Sequence, residues 1–310
     1  MSDTPSRAFT PGPRLAYLCV VATMLMWALG VVVGRGVHET VPPIGLTFWR
    51  WFGGMLLLLP FVWRDVVRNW PLILAHRTLF FALGGLIVIS GAGLLLSVNY
   101  TTAINATLVN AAQPAVTAVG AWLLGRDRLS PPQWLGILAA TGGIAVMASR
   151  GDWEVLATFG FNIGDIIIFV ATFGFSAYAL NVHRLPGQMG LFTSLFVIGM
   201  TGSLLTLPLY IYETVAIRPM PITWEAFNAV ATLAVFMTVL SIFLWNAGIR
   251  AVGPSRAGIF VNLFPVFSAI LAIIFLGEQL HPYHIAGAAF VCLGITLVVL
   301  TGRRTDGART

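Results

Sequence analysis

Long apolar segments alternate with short polar connections along almost the whole chain. Each segment lacks the alternation of polar and apolar positions that is typical of barrel strands. A run of about twenty apolar residues is long enough to cross a bilayer as a helix, which satisfies its own backbone hydrogen bonds in lipid. The pattern predicts an all-α membrane protein with ten transmembrane helices, at residues 15–34, 44–63, 78–98, 101–124, 132–149, 162–182, 190–212, 224–247, 255–276 and 282–301.

The composition agrees with lipid as the main solvent. Hydrophobic residues make up 58% of the chain and charged residues 9%, and the mean hydropathy is +0.89. Soluble domains have about 25% charged residues, so this chain has too few charges to cover an aqueous surface. Cys19 and Cys292 lie in apolar segments and are interpreted as packing residues, which indicates neither a disulfide nor a metal site.

The distribution of arginine predicts the orientation. All 17 basic residues are Arg. If the N-terminus is cytoplasmic, thirteen of them fall in cytoplasmic connections and tails, and only Arg35, Arg150 and Arg218 fall on the opposite side. Positive charges are enriched on the cytoplasmic side of membrane proteins, so we expect both termini there. Because the arginines are scattered between apolar segments, nucleic-acid binding is excluded.

The two halves of the chain repeat each other. Each half contains five predicted helices, an odd number, so the second half enters the membrane from the opposite side, as an inverted-topology repeat. Such halves provide two related conformations, each open to one side, as alternating access requires. The predicted organisation is a tail at 1–14, repeats at 15–150 and 151–302, and a tail at 303–310. Pairs of similar residues separated by 151 positions are Trp27 with Tyr178, Pro114 with Pro265, Gly136 with Gly287, and Gly143 with Gly294.

The end of each half carries a recognisable motif. A proline inside a helix is followed by an aliphatic run, a Leu-Gly pair with an acid close behind, and a glycine-rich last helix; Gly277-Glu278 belongs to the clearer copy. The first copy departs from it with Asp127 after Gly125-Arg126. The motif resembles the drug/metabolite transporter superfamily, specifically its EamA-type ten-helix exporters. The resemblance implies export of small metabolites, often amino acids, across the bacterial inner membrane. Residues 26–37 are also similar to aromatic amino acid exporters of this group.

Polar and aromatic side chains inside the spans are the candidates for substrate contact. Asparagine can bond both the amino and the carboxyl group of an amino acid, and aromatic rings can stack on an apolar side chain. The competing interpretations are hydrogen bonds between helices and core packing. The candidates are Trp27, Asn99, Tyr100, Asn110, Tyr178, Asn246 and Asn262, with Pro114 and Pro265 as hinges.

The few charges within or beside the spans have mainly structural interpretations. Asp165 is expected to cap its helix or to lie at the interface, and Glu278 follows a span. No acid falls in the middle of a span, so we expect facilitative transport. Arg50 could bind a substrate carboxylate, but we favour snorkelling to the interface. His281 and His284 are expected in a solvated loop, without a metal.

These patterns predict a multi-pass inner-membrane secondary transporter that exports amino acids, aromatic ones among them, or similar small metabolites. Its expected partners are that substrate and the lipid bilayer, without a cofactor. The oligomeric state stays open, and a monomer is compatible with the sequence. The alternatives are a membrane enzyme acting on a lipid-linked substrate, a transporter of nucleosides, sugars or drugs, and a receptor or scaffold.

Overall fold

A computed structural model describes residues 12–125, 129–152, 154–155, 162–252 and 260–306. Within these ranges every regular element is helical, which confirms the predicted all-α class. The α-helices are α1 (Pro13–Gly36), α2 (Pro43–Arg68), α3 (Trp70–Ala75), α4 (Arg77–Ser97), α5 (Ala103–Asn110), α6 (Gln113–Leu123), α7 (Pro131–Ala148), α8 (Ile163–Asn181), α9 (Leu191–Tyr212), α10 (Trp224–Thr232), α11 (Ser241–Val252), α12 (Leu263–Leu276) and α13 (Pro282–Asp306).

Helices long and apolar enough to cross a membrane form most of the bundle. Six occur among the described residues, and two shorter apolar helices lie at Leu263–Leu276 and Pro282–Leu297. Several of these helices begin at proline, whose missing N–H costs nothing in a first turn. The long segments are Arg14–Gly36, Pro43–Arg68, Arg77–Ser97, Ile163–Arg184, Leu191–Ile217 and Trp224–Ile249.

Two of the long helices change their winding. After α9 the chain continues as a π-helix over Glu213–Ile217. A second π-helix, Leu233–Leu240, joins α10 to α11 into one continuous rod. π-helical turns are rare and occur often at functional sites. We call Leu233–Leu240 the π segment.

The predicted helix at 101–124 is wrong as a single element. The structure divides it into α5 and α6 at Ala111–Ala112, directly before the Gln113–Pro114 start of α6. Proline cannot donate to the carbonyl one turn earlier, and it disfavours helical geometry in the residue before it. A comparable turn precedes Pro265: residues 261–262 form a turn, and α12 begins at Leu263.

The last helix of each predicted repeat packs against the other through glycine. A methyl group added at Gly143 would lie 2.6 Å from the carbonyl oxygen of Gly287, and one at Gly294 would overlap the carbonyl oxygen of Gly136. Because 143 pairs with 287 and 136 with 294, α7 and α13 run antiparallel. Small residues let the two backbones approach closely.

Candidate functional site

Carboxylates bind the start of two helices at one end of the bundle. Glu213 accepts hydrogen bonds from the backbone N–H groups of Ile44 (3.1 Å) and Gly45 (2.7 Å) at the start of α2. Glu278 accepts from Ala103 (2.8 Å) and Ile104 (3.1 Å) at the start of α5. The first N–H groups of a helix have no partner within the helix, and its dipole favours an anion there.

The same end holds a cation and a third carboxylate, which is buried. Arg35 lies 3.9 Å from Glu278 and donates to the carbonyl oxygen of Val98 at 2.7 Å. Asp165, expected as a cap or interfacial residue, is 4% exposed and accepts a 2.5 Å hydrogen bond from Asn105. Since α2, α5 and α8 all begin here, we call this the acidic end of the bundle.

The aromatic pair predicted to face the substrate is divided between two packing clusters. Trp27 donates from Nε1 to the hydroxyl of Ser241 at 3.1 Å and packs against Trp245, with ring centroids 5.7 Å apart. Tyr178 is half-buried and contacts Phe175, with ring centroids 5.8 Å apart. Trp27 therefore lies where α1 crosses α11, and Tyr178 belongs to the packing around α2, α4 and α9.

The predicted asparagines have two kinds of environment. Asn99 and Asn246 each donate to the carbonyl four residues earlier, at 2.9 Å and 2.7 Å. Asn110, at the end of α5, and Asn262, directly before α12, make no side-chain hydrogen bond to another described residue. The two free amides lie beside the helix breaks before Pro114 and Pro265. Tyr100 is 52% exposed in the turn between α4 and α5.

A cavity in the described residues lies away from these candidates. Its volume is about 730 Å³, and it opens between the C-terminal half of α2, the start of α9 and the π segment. None of the predicted substrate residues lines it. We call it the Asp65 groove; its lining includes Leu57, Phe61, Asp65, Leu191, Phe192 and Val239.

Two side chains differ from their expected environment. Arg50 does not snorkel: it is 4% exposed, and its Nη1 donates to the Met237 sulfur at 3.1 Å. His284 is 2% exposed rather than solvated, and its Nδ1 accepts from the backbone N–H of His281 at 3.0 Å. The sequence signal for Arg50 was its place in an apolar run, but its burial depends on residues of other helices.

Comparison with known proteins gives a family match over both halves. A model described as the EamA-like transporter family matches residues 14–149 and again 162–300. The chain is 27% identical to an uncharacterized transporter, YyaM of Bacillus subtilis, over 82% of this chain and 83% of that protein. It is 27% identical to the aromatic amino acid exporter YddG of Salmonella typhimurium, over 93% of this chain and 98% of that protein.

A solved structure shares the fold. The crystal structure of another protein matches with a TM-score of 0.57 at 18% identity, over 94% of this chain and 98% of that chain. At that identity the likeness concerns the fold alone.

Proposed function

Because the chain belongs to the EamA-like transporter family, we propose that it is a facilitative secondary transporter that exports amino acids or similar small metabolites. It works by alternating access across the bacterial inner membrane, and both termini are cytoplasmic. Ten spans form two inverted repeats of five. The fourth span is the broken pair α5 and α6, and the eighth combines α10, the π segment and α11.

The observation that carries this proposal is the exchange of contacts between the halves. Moving Gly136 and Gly143 forward by 151 positions gives Gly287 and Gly294. The contacts of Gly143 with Gly287 and of Gly136 with Gly294 therefore change into each other when the halves are exchanged. Self-complementary contacts of this kind are a property of a two-fold axis. Because the helices are antiparallel, the axis lies in the membrane plane, which supports inverted repeats.

A second pair of helix crossings is also interchanged when the two halves are exchanged. Ser90 of α4 donates to the carbonyl oxygen of Ala171 in α8 at 2.5 Å. Its mate at the same spacing is Ser241 of α11, whose carbonyl accepts from Thr23 of α1 at 3.3 Å. The exchange maps α4 with α8 onto α11 with α1. Under the proposed orientation, the acidic end faces the periplasm.

The substrate class has independent support from a relative and from the candidate residues. YddG of Salmonella typhimurium is named an aromatic amino acid exporter, which favours amino acids, aromatic ones among them. The free amides of Asn110 and Asn262 lie beside helix breaks, where backbone carbonyls also lose their helical partners. The proposed substrate residues are the seven candidates Trp27, Asn99, Tyr100, Asn110, Tyr178, Asn246 and Asn262, and the proposed hinges are Pro114 and Pro265.

Counterflow in proteoliposomes tests the function. Vesicles loaded with one unlabelled amino acid are expected to accumulate its labelled form without an ion gradient, and vesicles without protein serve as the control. A panel of all common amino acids, with nucleosides and sugars for comparison, gives the substrate range. Flux of nucleosides or sugars alone would overturn the substrate class, and a strict need for a proton or sodium gradient would overturn the facilitative mechanism.

A further inference from the structure

Arg50 is a buried cation that has no anionic partner in the described part of the chain. It lies in the second turn of α2 and is 4% exposed. Burying a charge in the membrane is costly unless the charge is paired or reaches water. No carboxylate of a described residue lies within 4.0 Å of its guanidinium, since the ion pairs there involve Arg35 and His38.

The hydrogen-bonding capacity around Arg50 is largely unused. Its Nη1 donates to the sulfur of Met237 at 3.1 Å, and a thioether is a weak acceptor. Its guanidinium carbon lies 5.2 Å from the ring centre of Trp51. Arg50 Nε and Trp51 Nε1 are both buried without an acceptor among the described residues. Leaving a buried donor unpaired is costly, so these donors are suited to a ligand that supplies oxygen atoms.

Glycines on two other helices make room for this arrangement. A methyl group at Gly91 of α4 would lie 2.7 Å from Nη2 of Arg50. A methyl group at Gly30 of α1 would overlap the Met237 sulfur. The guanidinium is therefore held between α1, α2, α4 and the π segment.

The corresponding position in the other repeat is aliphatic. In this helix pair the repeats match at a spacing of 148 positions, because Pro60 lies as far from the start of α2 at Pro43 as Pro208 lies from the start of α9 at Leu191. At that spacing Arg50 corresponds to Ile198. Ile198 is 1% exposed in the packing around α9. The equivalent place in α9 is therefore filled by a buried apolar side chain, so this helix position does not by itself require a charge.

The geometry points to Arg50 and Trp51 as a binding site for one carboxylate of the transported molecule. A guanidinium can donate two parallel hydrogen bonds to a carboxylate, and the indole N–H adds a third donor. One buried positive charge balances one negative charge, which favours a monoanionic group such as an amino acid carboxylate. This assignment rests on the proposed function for the route by which the ligand arrives.

Equilibrium binding to the purified full-length protein in detergent tests the site with three probes. L-Phenylalanine has both charged groups, 3-phenylpropanoate lacks the amine, and phenethylamine lacks the carboxylate. We expect Arg50→Met to weaken the two carboxylate probes about ten- to hundredfold, because a charge-assisted pair is lost. Phenethylamine binding should stay unchanged. Arg68→Met removes an exposed cation from the same helix and should bind all three probes like the original protein.

Further variants separate ligand binding from folding. We expect Arg50→Met to melt no lower than the original chain, because it replaces an unpaired buried charge by an apolar side chain. If it fails to fold, Arg50→Lys keeps the charge but lacks the planar fork, and is expected to bind carboxylates about tenfold more weakly. Trp51→Phe lacks the indole N–H, and we expect its affinity for the carboxylate probes to fall a few-fold.

The site is overturned by equal affinity of the original chain and the Arg50 variants for 3-phenylpropanoate, or by no binding of either carboxylate probe to the original chain. Amino acid counterflow that persists unchanged in Arg50→Met removes the site but leaves the proposed function standing. Arg50-dependent binding of 3-phenylpropanoate without flux of any amino acid removes the function and leaves the site.

Discussion

Asp65 and Glu213 occupy corresponding places in the two proposed repeats but have opposite environments. Each follows a proline inside a helix by five residues, Pro60 in α2 and Pro208 in α9. Glu213 is buried and accepts two hydrogen bonds from the start of α2. Asp65 is exposed, and it faces the start of α9 across the Asp65 groove.

The difference indicates that the two ends of the bundle are in different states. At the acidic end a carboxylate joins α9 to α2, whereas at the other end a cavity of about 730 Å³ separates the equivalent partners. Exchanging the repeats would place Asp65 on the N–H groups at the start of α9 and release Glu213 from α2. We expect that exchanged arrangement to be the second conformation of the transport cycle, opened to the opposite side.

Removing Glu278 should have the largest effect on the closed end. Glu278→Ala deletes two hydrogen bonds to α5 and leaves Arg35 without its carboxylate. Charge-assisted hydrogen bonds contribute about 1.5–3 kcal/mol each, so we expect a clear fall in melting temperature in detergent and loss of counterflow. Glu278→Gln keeps one acceptor oxygen, so we expect a smaller fall in its melting temperature. Equal melting of all three proteins would contradict a closing role for this residue.

Glu213→Gln should open the acidic end with a smaller loss of stability. Glutamine offers one oxygen to Ile44 and Gly45, and it has no charge to interact with the dipole of α2. Leu46, 2% exposed, reports the change as a cysteine in a background without Cys19 and Cys292. We expect a membrane-impermeant thiol reagent to label Leu46→Cys several-fold faster when Gln replaces Glu213. Unchanged labelling, with unchanged flux, would show that this carboxylate does not hold the end closed.

The sequence predicted much of the helical pattern because apolar length is a local property. It also identified Pro114 and Pro265 as weak points, although the span at 101–124 was predicted as continuous. The contacts that close the acidic end join residues far apart in the chain, such as Ala103 and Glu278, so hydropathy could not predict them. The candidate site was harder, because a side chain such as Asn246 can bond its own helix instead of the substrate.

Labelling within the Asp65 groove should distinguish the two ends directly. Phe192 lines that groove at the start of α9. In the proposed orientation, Phe192→Cys should react with an impermeant reagent in inverted membrane vesicles, and Leu46→Cys should be protected there and in intact cells. Glu213→Gln is expected to lower the Phe192→Cys rate, since opening one end favours closing the other in alternating access. Independent changes at the two positions would contradict a coupled movement.

Asp65→Asn should leave this conformation almost unchanged and act on the other one. The carboxylate is exposed and has no hydrogen-bond or ion-pair partner among the described residues, so we expect the melting temperature in detergent to stay the same. In the exchanged conformation, however, Asp65 would bind the start of α9 as Glu213 now binds α2. Losing its charge should therefore slow counterflow a few-fold without changing substrate affinity. Arg64→Gln changes the exposed neighbour and is the matched control. Equal counterflow rates for the two variants would show that a carboxylate closes only the acidic end.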